Sequence, residues 1–252
     1  MSRYALIPVL LACAACVSTP PNQLSKPQPD RASDINLELG IDYFRKGNLP
    51  AAKEKIDRAL DQNPRNAKAL ATAGLLYDRL NEPKKAESYF DKALSLDGDN
   101  PDFQNNYAVV LCNRDKQARG EKYFVQAANN PLYKTPEVAY LNAGNCARSA
   151  GNLEHAEANF RKALTLKPRF TEALYQMADL ELYKQNYMSA RGFVQRYMDA
   201  GKSNAPILWL ALRVEKGLGN TKAVSEYAQR LKLEYPNSAE TQQLLASEHK
   251  AG

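Results

Sequence analysis

Residues 137–170 read EVAYLNAGNCARSAGNLEHAEANFRKALTLKPRF, and the spacing of small residues inside this stretch decides the fold. Gly144 stands eighth, Gly151 fifteenth, Ala156 twentieth and Ala163 twenty-seventh, with Pro168 close to the end. Apolar residues recur at helical spacing on either side of Gly151, so the stretch reads as two amphipathic helices joined by a tight turn. The pattern recurs in frames of about 34 residues that start at Ser33, Ala67, Pro101, Glu137, Thr171 and Ala205. These frames place Gly40, Gly74, Ala108, Gly144 and Ala178 at the eighth position, and Ala52, Ala86, Gly120, Ala156 and Ala190 at the twentieth.

Small residues at those two positions allow two antiparallel helices to approach closely while large side chains fill the space beside them. Gly47, Gly151 and Gly219 share the fifteenth position, where a helix ending in a left-handed turn needs glycine. Together with Tyr43, Tyr77, Phe90, Phe124 and Phe160, the pattern resembles the tetratricopeptide (TPR) repeat. The expected fold is all-α, a TPR superhelix of six helix-turn-helix repeats. Their bounds are 33–66, 67–100, 101–136, 137–170, 171–204 and 205–238, with a terminal helix extending the domain to residue 247. The third repeat has 36 residues, its surplus lying in Asn129 to Pro136. A single repeat cannot bury its apolar face, so the stack should fold as one unit.

Upstream of the repeats, Arg3, the apolar run Ala5 to Ala12 and the sequence Ala14-Ala15-Cys16 have the layout of a bacterial secretory signal. The apolar run is too short to span a bilayer. A small residue followed by cysteine resembles the lipobox of bacterial lipoproteins, which implies a signal peptide over 1–15 and a diacylglycerol on Cys16, with Cys13 as the alternative site. Acyl chains, palmitate among them, would anchor the chain without a spanning helix. Residue 17 is valine and not aspartate, which by the same resemblance directs the protein to the periplasmic face of the outer membrane. Residues 16–32 contain four prolines and almost nothing apolar, and read as an extended spacer.

The whole chain has 252 residues, 34 Lys and Arg against 28 Asp and Glu, and a net charge of +6. The basic residues are scattered and form no run that would track phosphates, so nucleic acid is not an expected partner. Catalysis is not expected either. His155 and His249 are the only histidines, too few for a metal set, and no glycine-rich phosphate loop follows a strand. No cofactor beyond the covalent lipid is implied, and the chain is expected to act as a monomer.

Function in such a stack belongs to the groove lined by the first helices, at positions 2, 5, 9 and 12 of each repeat. Position 9 reads Ile41, Leu75 and Val109, then Asn145, Asp179 and Arg213. Leu37, Ile41, Phe44, Leu75 and Val109 are therefore the expected partner groove, an apolar strip fit for an amphipathic segment. The other reading has Ile41 and Phe44 covered by neighbouring side chains or by the spacer. Leu37 and Ile41 also stand where the peptide-end clamp of chaperone-binding TPR proteins needs Lys and Asn, so a terminal carboxylate is not the expected ligand.

Residues 105–164 narrow the resemblance. Asn105-Asn106-Tyr107-Ala108, Leu111-Cys112, Pro131-Leu132-Tyr133 and Asn142-Ala143-Gly144-Asn145-Cys146 occur in that order. This series resembles the type IV pilus biogenesis and stability lipoprotein family (PilF/PilW), the pilotins of pilus secretins. Departures are Ala108 for glycine, and Asn113-Arg114-Asp115 where the family usually has a tighter turn-forming stretch. The resemblance implies an outer-membrane lipoprotein that binds the secretin subunit and promotes its localisation and multimerisation for pilus biogenesis. The alternative function is a periplasmic adaptor for another envelope complex. Cys112 and Cys146 fall on neighbouring first helices, where an exported chain can close a disulfide; otherwise they are two buried thiols.

Overall fold

The computed structural model describes residues 29–201 and 203–249, which form thirteen helices and no strand. The first six are α1 (Pro29–Arg45), α2 (Leu49–Gln62), α3 (Ala67–Arg79), α4 (Pro83–Leu96), α5 (Pro101–Cys112) and α6 (Gln117–Asn129). There follow α7 (Pro136–Ser149), α8 (Leu153–Leu166), α9 (Thr171–Tyr183), α10 (Tyr187–Asp199), α11 (Ala205–Gly217), α12 (Thr221–Glu234) and α13 (Ala239–His249). Odd and even helices pair through α12, and each pair packs on the next to give a right-through stack. The expected signal peptide over 1–15, the candidate lipidation sites Cys13 and Cys16, and the expected spacer as far as residue 28 lie outside the described residues.

Asparagine caps six of the thirteen starts. The side chains of Asn48, Asn66, Asn152, Asn204 and Asn220 each accept a backbone N–H three residues on, and Asn100 accepts from Asp102 and Phe103. Such caps satisfy donors that a helix start otherwise leaves unpaired. Proline at the first turn of α2, α4, α5, α7 and α11 sacrifices no helical hydrogen bond there. The same allowance moves the first boundary. Helix α1 begins at Pro29, so residues 29–32 are helical and not part of an extended spacer. Asn63 donates to Asp30 at 2.8 Å, and the Ser33 hydroxyl donates to the Ala59 carbonyl at 2.8 Å, which holds this added turn on α2.

Within each pair the two helices meet at the small residues. A Cβ on Gly74 would lie 2.6 Å from the Phe90 ring, and one on Gly144 would strike Phe160. Both rings are wholly buried, as are Ala52, Ala86, Ala156 and Ala190 on the facing helices. Helix α13 closes the far end: Leu244 packs with Leu208, Leu212 and Leu231, and the buried Thr241 hydroxyl donates toward the Tyr235 carbonyl at 2.8 Å.

All six turns between paired helices adopt one conformation. Gly47, Gly151 and Gly219 have φ of 75°, 77° and 69°, and the same position holds Asn81, Asp115 and Gln185 at 59°, 57° and 60°. The Asn113-Arg114-Asp115 departure therefore leaves the turn unchanged. Asn and Asp tolerate the left-handed region through local hydrogen bonding, whereas Gln185 carries a longer side chain with no such compensation. Gln185→Gly is expected to stabilise the fold by about 1 kcal/mol, a rise in melting temperature of about 2–4 °C by circular dichroism. An unchanged or lower melting temperature would show that Gln185 bears no strain.

Candidate partner-binding groove

The first helices of the pairs line one concave face. At its N-terminal end Ile41 and Phe44 from α1, Leu75 from α3, and Phe103 and Asn106 from α5 surround a cleft of about 700 Å³. Ala67, Ala71 and Thr72 form its floor, while Arg45, Lys68, Asp97, Asn100 and Asp102 stand round it. Ile41, Phe44 and Leu75 are each partly buried, neither sealed in the core nor fully in water. Arg79 lies over the Phe44 ring, its guanidinium carbon 5.8 Å from the centroid, so the outer face of that ring is covered by a cation.

Leu37 does not belong to this surface. It is only 2% exposed and packs between Ala59 and Ala69, in the seam where α1 meets α2 and α3. Ala71 and Leu141, at the same position of later repeats, are buried as well. Position 5 is thus a packing position in these repeats, Ala71 showing only its small side chain to the cleft, and the apolar anchors from α1 and α3 are Ile41 and Leu75 at position 9 and Phe44 at position 12. Val109 is 37% exposed but lies beyond the cleft lining. The sequence reading missed Phe103, Asn106 and Thr72, which come to the cleft from the second and third repeats. It also missed Ile35 and Leu39, which are 51% and 44% exposed on α1. Their i, i+4 spacing on a helix with no preceding pair is the signal that could have revealed them.

Farther along, the concave face is polar and its charges neutralise one another. Arg148 donates to Gln176 at 3.0 Å and to Asp179, and Arg213 stands 3.9 Å from the same carboxylate. Burial, with the Asp179 carboxylate adding to it, holds the Tyr175 phenol above its usual range, so this hydroxyl stays protonated. Between the two regions Cys112 and Cys146 are joined in a disulfide, with their Cα atoms 5.7 Å apart. Gly120 of α6 abuts the Cys112 sulfur, and a Cβ there would also lie 2.9 Å from the Ala108 carbonyl oxygen. That contact explains glycine at a position where four of the other repeats have alanine and the sixth has Val224. Among the described residues no cluster of three or more His, Cys, Asp or Glu side chains could hold a metal ion, and no helix is long and apolar enough to cross a membrane.

Comparison with known proteins gives the groove a context. The tetratricopeptide repeat family matches residues 37–111 and again 138–170. The type IV pilus assembly protein PilF of Pseudomonas aeruginosa is 29% identical over 217 residues, 86% of each chain. The crystal structure of PilW, described as a widely conserved type IV pilus biogenesis factor, superposes with a TM-score of 0.71 at 31% identity, covering 84% of this chain and 98% of that one. The structure of P. aeruginosa PilF superposes with a TM-score of 0.71 at 28% identity, covering 87% of this chain and 99% of that one. MamA, at 17% identity and a TM-score of 0.52, shares the fold alone.

The fit of Gly120 against the disulfide yields a coupled expectation. Gly120→Ala should destabilise the oxidised protein by about 1–3 kcal/mol through overpacking, and by less when Cys112 is replaced by alanine. Loss of the disulfide itself, which closes a loop with a sequence separation of 34, should cost about 4 kcal/mol. Denaturant titration of the four members of the cycle measures both, and additive effects would show that Gly120 does not answer to the sulfur.

Proposed function

The chain belongs to the PilF/PilW family of type IV pilus biogenesis TPR proteins, and on that premise we propose that it is a pilotin for the pilus secretin. In this reading it is acylated on Cys16, or on Cys13 as the alternative, and sits at the periplasmic face of the outer membrane. It binds the secretin subunit, carries it along the lipoprotein route and promotes its multimerisation. One lipid anchor then supplies a membrane address that the partner lacks, because a bound pair shares the membrane affinity of either member. Binding also keeps the unassembled subunit's strand edges from pairing wrongly in transit.

The observation that carries the reading is the cleft between α1, α3 and α5. A scaffold that only stacks against itself has no need of Ile41, Phe44 and Leu75 on its concave face, and a partly buried apolar cleft offers anchor sites for an amphipathic segment. The TPR architecture, which presents side chains from successive first helices on one continuous surface, agrees with a role in protein binding.

Deletion of the gene should abolish heat-resistant secretin multimers and leave monomer in the inner membrane. Multimers persisting in the outer membrane would overturn the proposal. Phe44→Asp and Ile41→Asp should each reduce capture of the secretin subunit by at least about tenfold, with the helical circular dichroism unchanged, since an anchor replaced by a charge loses its pocket. Unaltered capture by both would move the binding site off the cleft. Labelling with radioactive palmitate should vanish in Cys16→Ser and persist in Cys13→Ser; the reverse result would make Cys13 the acylated residue.

A further inference from the structure

The charges around the cleft are sorted along its length. Helices α1 and α3 both run from the edge of the stack formed by the loops between pairs to the edge formed by the turns within pairs. They end at Arg45 and Arg79 respectively. Arg45 lines the cleft and has no ion pair, and Arg79 has only the Phe44 ring. The carboxylates that could neutralise them are engaged elsewhere. Asp78 accepts from Arg114 at 3.0 Å, and Asp42 accepts from Lys46 at 2.7 Å.

The opposite end of the cleft has the other sign. Asp97 and Asp102 line it without an ion pair, Asp97 accepting only from the Asn100 amide at 2.8 Å. Lys68 is the one cation among the described lining residues at that end, so the two carboxylates outnumber it. On the remainder of the concave face the comparable groups pair with each other, as Arg148 and Arg213 do with Asp179. Unpaired charges of opposite sign at the two ends of an apolar cleft give a partner's charged ends a preferred direction.

We propose that the cleft binds an amphipathic polypeptide segment in one direction, with its acidic end at Arg45 and Arg79, its basic end at Asp97 and Asp102, and apolar side chains on Ile41, Phe44 and Leu75. This rests on the reading of the cleft as the partner site and adds the chemistry of the segment and its orientation. The thirteen residues of α3 span about 20 Å at 1.5 Å each, so a helical occupant needs about twelve or thirteen residues to reach both ends. A helix laid this way also brings its negative C-terminal dipole to the two arginines when its acidic end is its C-terminus.

The test uses the full chain in detergent and a synthetic helix of about twelve residues, stapled to remain helical, with apolar anchors at i, i+3 and i+7, lysines in its first turn and glutamates in its last. A photo-crosslinking group stands beside the glutamates. Mass spectrometry should place the crosslinks on the last turns of α1 and α3, and Arg45→Glu with Arg79→Glu should weaken binding about tenfold at low salt. That difference should shrink at high salt. Both arginines are exposed, so the variant keeps the fold. Crosslinks spread evenly over both ends, with binding still abolished by Phe44→Asp, would overturn the direction and leave the cleft as the site. Binding that survives Phe44→Asp would overturn the cleft reading, and a peptide that fails to bind would overturn the proposal.

Discussion

The close approach of two helices at a glycine or alanine is the contact on which everything else in this molecule depends. Where Gly74 faces Phe90 and Gly144 faces Phe160, the absence of a Cβ makes room for a whole ring, so each pair locks at one depth and one rotation. The rings are wholly buried; Phe90 shares one core cluster with Ile56 and Tyr107, and Phe160 belongs to a second that runs on through the fourth to sixth pairs. Because a stack of this kind contacts only its neighbours, small errors in one pair would accumulate along the superhelix. The repeated left-handed turn at Gly47, Asn81, Asp115, Gly151, Gln185 and Gly219 has the same effect. It reverses the chain through the same left-handed residue each time, whatever the side chain that adopts the conformation.

That regular frame makes the irregularities informative. With the same kind of small-residue contact and the same turn within the pairs, side-chain differences stand out along the concave face. In the N-terminal third the face holds an apolar cleft with uncompensated charges at its ends, and after Cys146 it holds charges that satisfy one another. A paired Arg and Asp on a partly exposed surface contributes little to stability, but it removes two groups from recognition. Unpaired ones at the rim of an apolar patch remain available to a partner. The two halves of the groove are therefore different surfaces on one scaffold.

Most of the frame was legible in the sequence because its determinants are local. Small residues at fixed spacing, the turn at Gly151 and Pro168 near the end of its frame each report on local structure within one repeat. The six repeats and the terminal helix follow from them. The groove was less legible because it depends on how repeats rotate against each other. Leu37 at position 5 and Leu75 at position 9 both read as groove residues, yet one lies in the seam between α1, α2 and α3 and the other in the cleft. Arg79 over Phe44 and Phe103 beside Leu75 are contacts across repeats, and nothing in a single frame announces them. The start of α1 at Pro29 escaped for a related reason: a proline-rich composition suggests extension, but proline at the first turn of a helix costs nothing when Asn63 and Ala59 hold the turn in place.

The longer third repeat brings these strands together. Its added residues lengthen the connection from α6 to α7 at the loop edge, which by itself would loosen the junction between the third and fourth pairs. Two fasteners hold that junction on opposite edges. At the loop edge the Tyr140 hydroxyl donates to Asn129 at 2.5 Å, while the Asn130 amide donates to the Asp99 carbonyl at 2.8 Å and holds the start of the lengthened loop on the loop before α5. At the turn edge stands the Cys112–Cys146 disulfide. Cys112 is the last residue of α5, the helix that carries Phe103 and Asn106 into the cleft. A covalent tie at its end therefore fixes one wall of the apolar cleft to the polar half of the stack. An insertion that would otherwise make a hinge is held shut, and a partner seated in the cleft meets a preorganised surface that need not pay the ordering entropy again.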